Sequence, residues 1–197
     1  MPEKNDFKKR NGLFSVKTMV CCSMMIAIAV ILARFLAVTP DESSRYSLEA
    51  VPIFVSGLLF GPVAGALVGF ISDLLGCLMS PFGYNPLLCL PPVICGLTAG
   101  IMGKYICKKT NLFRLAVSFL PYILFACIIW QSFALSLVYG GDAKTAYFLI
   151  KLGSRGIQYS IIYVIDVFLI WLLFKSKVFT ASKLWPPVYI KKTTEEM

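Results

Sequence analysis

Apolar residues fall along this chain in long blocks separated by short polar or glycine–proline stretches, not in alternation. The blocks cover roughly residues 18–38, 49–61, 62–80, 86–107, 113–139 and 147–174. A helix needs about 20 apolar residues to cross a hydrocarbon core roughly 30 Å thick. The pattern therefore predicts an all-α integral membrane protein: one domain over 1–197 with six transmembrane helices, a basic arm at 1–17 and a tail at 175–197. The second block is short, and Gly61-Pro62 joins it to the third almost without a loop. Proline suits a helix start because its missing N–H would be unpaired there anyway. Pro86, Pro91 and Pro92 in the fourth block predict a kinked or broken helix. No internal repeat, low-complexity segment or soluble domain interrupts the series.

One block holds an anomaly. "LLFGPVAGALVGFISDLLG", residues 58–76, is apolar enough for a bilayer yet carries Asp73 well inside it. A charge at the bilayer centre costs about 2.5–3.5 kcal/mol on insertion scales, so something must offset it.

Composition supports the membrane reading. The chain is 58% hydrophobic and 15% charged, against about half and a quarter in soluble domains. The basic start, "MPEKNDFKKRNGLFSVK", resembles a signal peptide only at first. The run after it is uncharged from Thr18 to Ala33 and continues past Arg34 to Val38. No small-residue cleavage site follows, so a retained first span is expected. The seven cysteines lie mostly in apolar runs without CxxC spacing, and histidine is absent. No disulfide framework, metal site or cofactor is expected from that set.

Charge adds orientation. Lys4, Lys8, Lys9, Arg10 and Lys17 precede the first span, and Lys104, Lys108, Lys109 and Arg114 lie between spans four and five. Lys175, Lys177, Lys183, Lys191 and Lys192 follow the sixth. With six spans all three segments share one side, which the positive-inside rule makes cytoplasmic, so both termini are expected inside a multi-pass cell-membrane protein. A basic surface can also bind nucleic acid, but here it is divided among membrane flanks, and no nucleic-acid partner is expected.

Arg34, Arg45, Lys144, Lys151 and Arg155 are the basic residues that topology leaves over, and all map to the outer side. Lys151 and Arg155 share a helix face at i,i+4. Together with Asp73, Trp130, Gln131 and Gln158 they converge on the outer half of the membrane, where ionisable groups usually face a cavity. Long cationic side chains also snorkel to headgroups, and Asp73 could simply pair with Arg34 or Arg155. The whole set fits better with an outward cavity of net positive charge and aromatic walls, suited to an anionic, ring-containing small molecule. Asp166 lies deeper in span six and reads as a structural or coupling residue.

The chain has no catalytic constellation. Without histidine, HExxH, GxSxG or a phosphate-cradling Walker A loop it is not expected to be an enzyme, nor to drive ATP-powered transport alone. "GLTAG" and "GLLFG" read as helix-packing patterns.

Residues 45–105, "RYSLEAVPIFVSGLLFGPVAGALVGFISDLLGCLMSPFGYNPLLCLPPVICGLTAGIMGKY", resemble the substrate-binding S component of energy-coupling factor (ECF) vitamin transporters, most of all the folate-specific branch. Pro52, "LFGP" at 59–62, Gly65, Gly69, Asp73, "PFGYNP" at 81–86, Gly96 and Gly100 carry the resemblance, whereas spans five and six agree only in topology. The resemblance implies a protein that binds folate or a related vitamin from outside. It would deliver the vitamin through a membrane T component and two cytosolic ATPases. It further implies that a small-residue AxxxA pair on the first helix, here Ala29 and Ala33, meets the T component. Asp73 would then sit at the floor of a cavity lined by spans one, three, four, five and six. There it would either accept from the amino-pyrimidine edge of a pterin or orient Arg34, and cationic groups would take the glutamate tail. Tyr84 would stack on a ring and Asn85 hydrogen-bond it. Trp130, Gln131, Arg155 and Gln158 would form walls. The other reading is a small stand-alone secondary transporter with Asp73 and Asp166 as coupling acids. Its weakness is a short chain without inverted-repeat symmetry.

Overall fold

The computed structural model describes residues 16–41, 44–79, 85–107, 112–141 and 144–176. Its elements are α1 (Val16–Arg34), strands β1 (Val38–Asp41) and β2 (Ser44–Tyr46), α2 (Ala50–Phe60), α3 (Pro62–Leu78) and α4 (Leu90–Cys107). They continue with α5 (Leu112–Tyr139) and α6 (Lys144–Lys175). Among the described residues six helices form the bundle. The chain after Arg34, expected to stay helical to Val38, instead turns into an antiparallel hairpin pairing Val38 with Tyr46. The sequence reason is local: "TPDESSRYS" contains a proline and polar residues that cannot extend an apolar span.

α2 differs from an ordinary span. Eleven residues extend only about 16 Å, half the core thickness. It ends at Gly61, whose φ of 98° lies in the left-handed region and requires glycine, and Pro62 opens α3 at once. α2 therefore starts well inside the bundle. The Ala50 carbonyl accepts from Cys95 Sγ at 3.8 Å, several residues into α4.

The prolines of the fourth block act otherwise than expected. Pro86 lies in a turn ahead of the helix, and Pro91 and Pro92 occupy the first turn of α4, where a missing N–H breaks no ladder bond. The irregular helix is α5. After Pro121 it widens into a π-helical stretch from Tyr122 to Trp130, then resumes α geometry at Gln131. Proline supplies no N–H, and π segments of this kind cluster at functional sites.

The core lies where α2, α5 and α6 meet. Phe54 and Phe119 pack edge to face at 4.9 Å, Phe119 contacts Tyr122 at 5.2 Å, and Tyr163 stacks on Phe119 at 6.1 Å. The hydroxyl of the part-buried Tyr163 donates to the Ala116 carbonyl at 2.9 Å, tying α6 to α5.

A glycine seam joins α2, α3 and α4. A Cβ on Gly57 would overlap the Gly96 carbonyl, one on Gly96 the Gly65 carbonyl, and one on Gly69 the Pro92 carbonyl. The "GLLFG" and "GLTAG" stretches thus pack backbone on backbone, as small residues permit in membrane helices. Large apolar side chains cover the outside, including Phe125, Ile157 and Ile101, each more than 60% exposed. Such a continuous apolar exterior suits a lipid solvent.

Orientation across the membrane is testable. In a background lacking the native cysteines, Ala146→Cys should react with an impermeant maleimide added outside cells, and Ser176→Cys should react only after lysis. The reverse pattern would overturn the cytoplasmic assignment of the basic segments.

Candidate functional site

Two groups of candidate residues lie toward the hairpin end of the bundle, where α1 and α3 finish and α6 begins. The first joins α1 to α3. Arg34, the last residue of α1, lays its guanidinium against Gly76 of α3, and its Nε is buried without a hydrogen-bond partner. One turn before Gly76, Asp73 is half-buried and accepts from Cys77 Sγ at 3.8 Å. The Asp73 carboxylate therefore shares α3 with the glycine against which Arg34 lies.

The second group joins α5 to α6. Arg155 Nη1 donates to the Tyr159 hydroxyl at 3.3 Å, and that hydroxyl donates to Gln131 Oε1 at 2.6 Å. The guanidinium also sits 5.9 Å from the Tyr159 ring centre. Arg155 Nε, like that of Arg34, is buried with no acceptor. Gln158 is buried on the same helix, and Lys151 places its ammonium 5.4 Å from the Tyr147 ring, one turn earlier.

Trp130 and Asn85 have structural duties that the sequence did not foretell. The Trp130 indole N–H donates to the Leu87 carbonyl at 2.9 Å, tying the end of the π segment to the 85–89 turn. Asn85 Oδ1 accepts from the Leu87 amide at 3.1 Å, a local side-chain turn. Trp130 therefore offers its ring, not its N–H, to any neighbour. Tyr84 lies outside the described residues. Arg45 falls on β2, with its side chain outside the described set.

Ala29 and Ala33 are 1% and 6% exposed, turned into the bundle against which α1 packs. They line a seam with α2 and α3 and are not among the residues that α1 exposes. The small residues that α1 does expose are Ser23 and Ala27, also one turn apart, with the Ser23 hydroxyl satisfied by the Met19 carbonyl at 3.0 Å.

Two residues escaped the sequence reading. Tyr159 links both sides of the second group, and only its i,i+4 spacing from Arg155 hinted at it. Glu49 stands just before α2 and, because α2 starts deep, is an electrostatic neighbour of Tyr159 and Asp166. Asp166 itself is fully buried, and neither carboxylate oxygen has a hydrogen-bond partner. Among the described residues no three Cys, Asp or Glu side chains gather to hold a metal ion. A groove of about 460 Å³ between α5 and α6, walled by Phe133, Leu137, Phe148 and Leu149, is lined by Lys144 and by none of the other candidates.

Residues 13–175 match the family described as ECF-type riboflavin transporter, S component. The chain belongs to that family. Among curated relatives, "Folate transporter FolT" of Clostridium novyi (strain NT) is 27% identical over 150 residues, covering 74% of this chain and 83% of that protein. A crystal structure of FolT bound with folic acid superposes with a TM-score of 0.68 at 26% identity, over 81% of this chain and 93% of that one. ThiT from Listeria monocytogenes shares the fold, with a TM-score of 0.59 at 17% identity, over 85% of this chain and 96% of its own.

The membrane reading follows from the family, and the S component has the bundle its relatives have. The family description names riboflavin while two relatives name folate, so the ligand must be argued from the site itself.

Proposed function

We propose that this S component binds folate from the outer face of a cell membrane, as a multi-pass protein, and yields it to an ATP-driven ECF module. The observation that carries the choice of vitamin is the pair of guanidinium groups, Arg34 and Arg155, whose Nε donors are buried and unused. A buried donor without an acceptor costs about 1–3 kcal/mol, more for a charged group, and a ligand carboxylate relieves it. Folate carries two carboxylates on its glutamate tail. Riboflavin carries none, and thiamine is a cation. The likeness to a folic-acid-bound structure supports the same choice.

In this reading Arg34, Arg45, Lys151 and Arg155 provide positive charge for the tail. Arg155 is pre-aligned because it donates to the Tyr159 hydroxyl one turn on, which Gln131 of α5 holds in turn. Asp73 takes the amino-pyrimidine edge of the pterin or orients Arg34. Trp130, Gln158, Asn85 and Tyr84 wall and cover the ring. The electrostatics are built into the fold, so binding requires no sodium, proton gradient or ATP.

The T component and two cytosolic ATPases complete the transporter. The membrane-facing side of α1, with Met19, Ser23, Ala27 and Ile31 exposed, replaces Ala29 and Ala33 as the docking face. Ser23 and Ala27 leave space for close helix approach.

The test is calorimetry on the detergent-purified chain with folate, riboflavin and thiamine, each with and without sodium. Folate should bind alone among the three and independently of sodium. Arg155→Ala should weaken it about tenfold or more, since a charged hydrogen bond contributes roughly 1.5–3 kcal/mol and about 1.4 kcal/mol is a factor of ten. Riboflavin binding without folate binding would assign the vitamin that the family description names. Sodium-dependent affinity would favour a coupled secondary carrier.

A further inference from the structure

The glycines of α3 share one helix face: Gly65, Gly69 and Gly76 recur at intervals of four and seven. At Gly65 and Gly69 the space that a side chain would fill is taken by the backbone of α2 and α4. At Gly76 it is taken by a charged group. A Cβ there would lie 2.9 Å from Nη2, 3.1 Å from Nε and 3.4 Å from Cζ of Arg34. Two nitrogens nearer than the carbon that joins them mean that the guanidinium turns its Nε–Nη2 edge toward the space a Gly76 side chain would fill. Gly76 is buried, and the Arg34 Nε above it is shielded from solvent with no hydrogen-bond partner.

We propose that Gly76 is the seat of the Arg34 guanidinium and so a positioning residue for the ligand site, which rests on reading Arg34 as a ligand contact. Arg34 ends α1, and the following residues leave the helix, so the backbone alone fixes its long side chain poorly. The bare Cα of Gly76 lets the guanidinium sink toward α3, beside the turn that carries Asp73. A methyl group at position 76 would lift it by several tenths of an ångström and turn its donors. Because the displaced atoms are the far end of a flexible side chain, that substitution moves Arg34 without prising helices apart. The same change at Gly65 or Gly69 would meet backbone.

The experiment is Gly76→Ala in the full-length purified chain, alone and combined with Arg34→Ala. Folate affinity should fall about tenfold in Gly76→Ala, with a melting temperature within about 2 °C of the parent. In the Arg34→Ala background the same methyl should change affinity less than twofold, because the group it displaces is gone. A ligand-free readout runs beside it: the Nε–H resonance of Arg34 in ¹⁵N-arginine-labelled protein, assigned by its loss in Arg34→Lys, should shift in Gly76→Ala. Unchanged affinity, an equal loss with and without Arg34, or an unmoved Arg34 resonance would overturn the seat. A parent chain that binds no folate would instead defeat the folate reading, and the resonance would then decide the seat by itself.

Discussion

Gly96→Leu is expected to prevent accumulation of folded protein, and even Gly96→Ala should destabilise by more than about 3 kcal/mol. Inserting extra methylenes into a packed core costs roughly 1–3 kcal/mol when side chains can shift. Here nothing flexible stands in the way. A Cβ on Gly96 overlaps the Gly65 carbonyl and comes within 2.7 Å of the Ala66 nitrogen, so α3 and α4 must separate. Separation would propagate, because Gly57 rests on the Gly96 carbonyl and Gly100 on Pro62 in the same seam. Gly153→Ala is the control. Nothing lies within 4 Å of a Cβ at that position, so a methyl there should leave stability unchanged or raise it by up to about 1 kcal/mol. Thermal unfolding and yield in detergent, compared across the three variants, check both statements. A Gly96→Ala protein as stable as the parent would show that the seam is not tightly closed.

Tryptophan on α1 should have opposite effects at positions two residues apart. Ala29 is 1% exposed within the core that includes Phe54 and Leu58, so an indole there should cost far more than a methylene and abolish folding. Ala27 faces outward. Ala27→Trp should fold, bind folate with an affinity within about twofold of the parent, and fail in uptake once the T component and ATPases are co-expressed. A bulky ring blocks a close helix seam while lying away from the ligand groups. Uptake assays in cells, paired with calorimetry on the isolated variants, separate these effects. Normal uptake by Ala27→Trp would move the docking face elsewhere on the bundle.

The contrast between Ala27 and Ala29 marks where sequence reasoning stopped. α1 is apolar on every side, "VKTMVCCSMMIAIAVILAR", so its pattern has no polar stripe to say which face turns inward. In water, solvent and core differ in polarity and write that difference into the periodicity. In a bilayer both are apolar, and the choice of face passes to side-chain shape. AxxxA was visible on the chain; that it packs inward while Ser23 and Ala27 face out depended on which surfaces of α2 and α3 could receive it.

Polar residues inside apolar blocks were legible for the converse reason. Lipid makes each of them costly, so Arg34, Asp73, Gln131, Arg155 and Gln158 stood out individually. Their partners did not. The Arg155–Tyr159–Gln131 chain depends on the rotation of α5 after its π segment, and Tyr159 looked like any interfacial tyrosine. Glu49 drew no role although it opens the 49–61 block, because nothing in "RYSLEAVP" says that α2 begins level with Cys95, several residues into α4.

The sequence by itself determined the number of helices, the Gly61-Pro62 turn, the basic flanks and the charges that lipid penalises. Each of these is a property of short segments measured against bilayer thickness and transfer cost. Only the tertiary structure decided which faces meet, which glycines admit backbone and which admits Arg34, and which donors are left unused. Those outcomes depend on close approach between segments distant in sequence, where a single methyl group changes which arrangement fits.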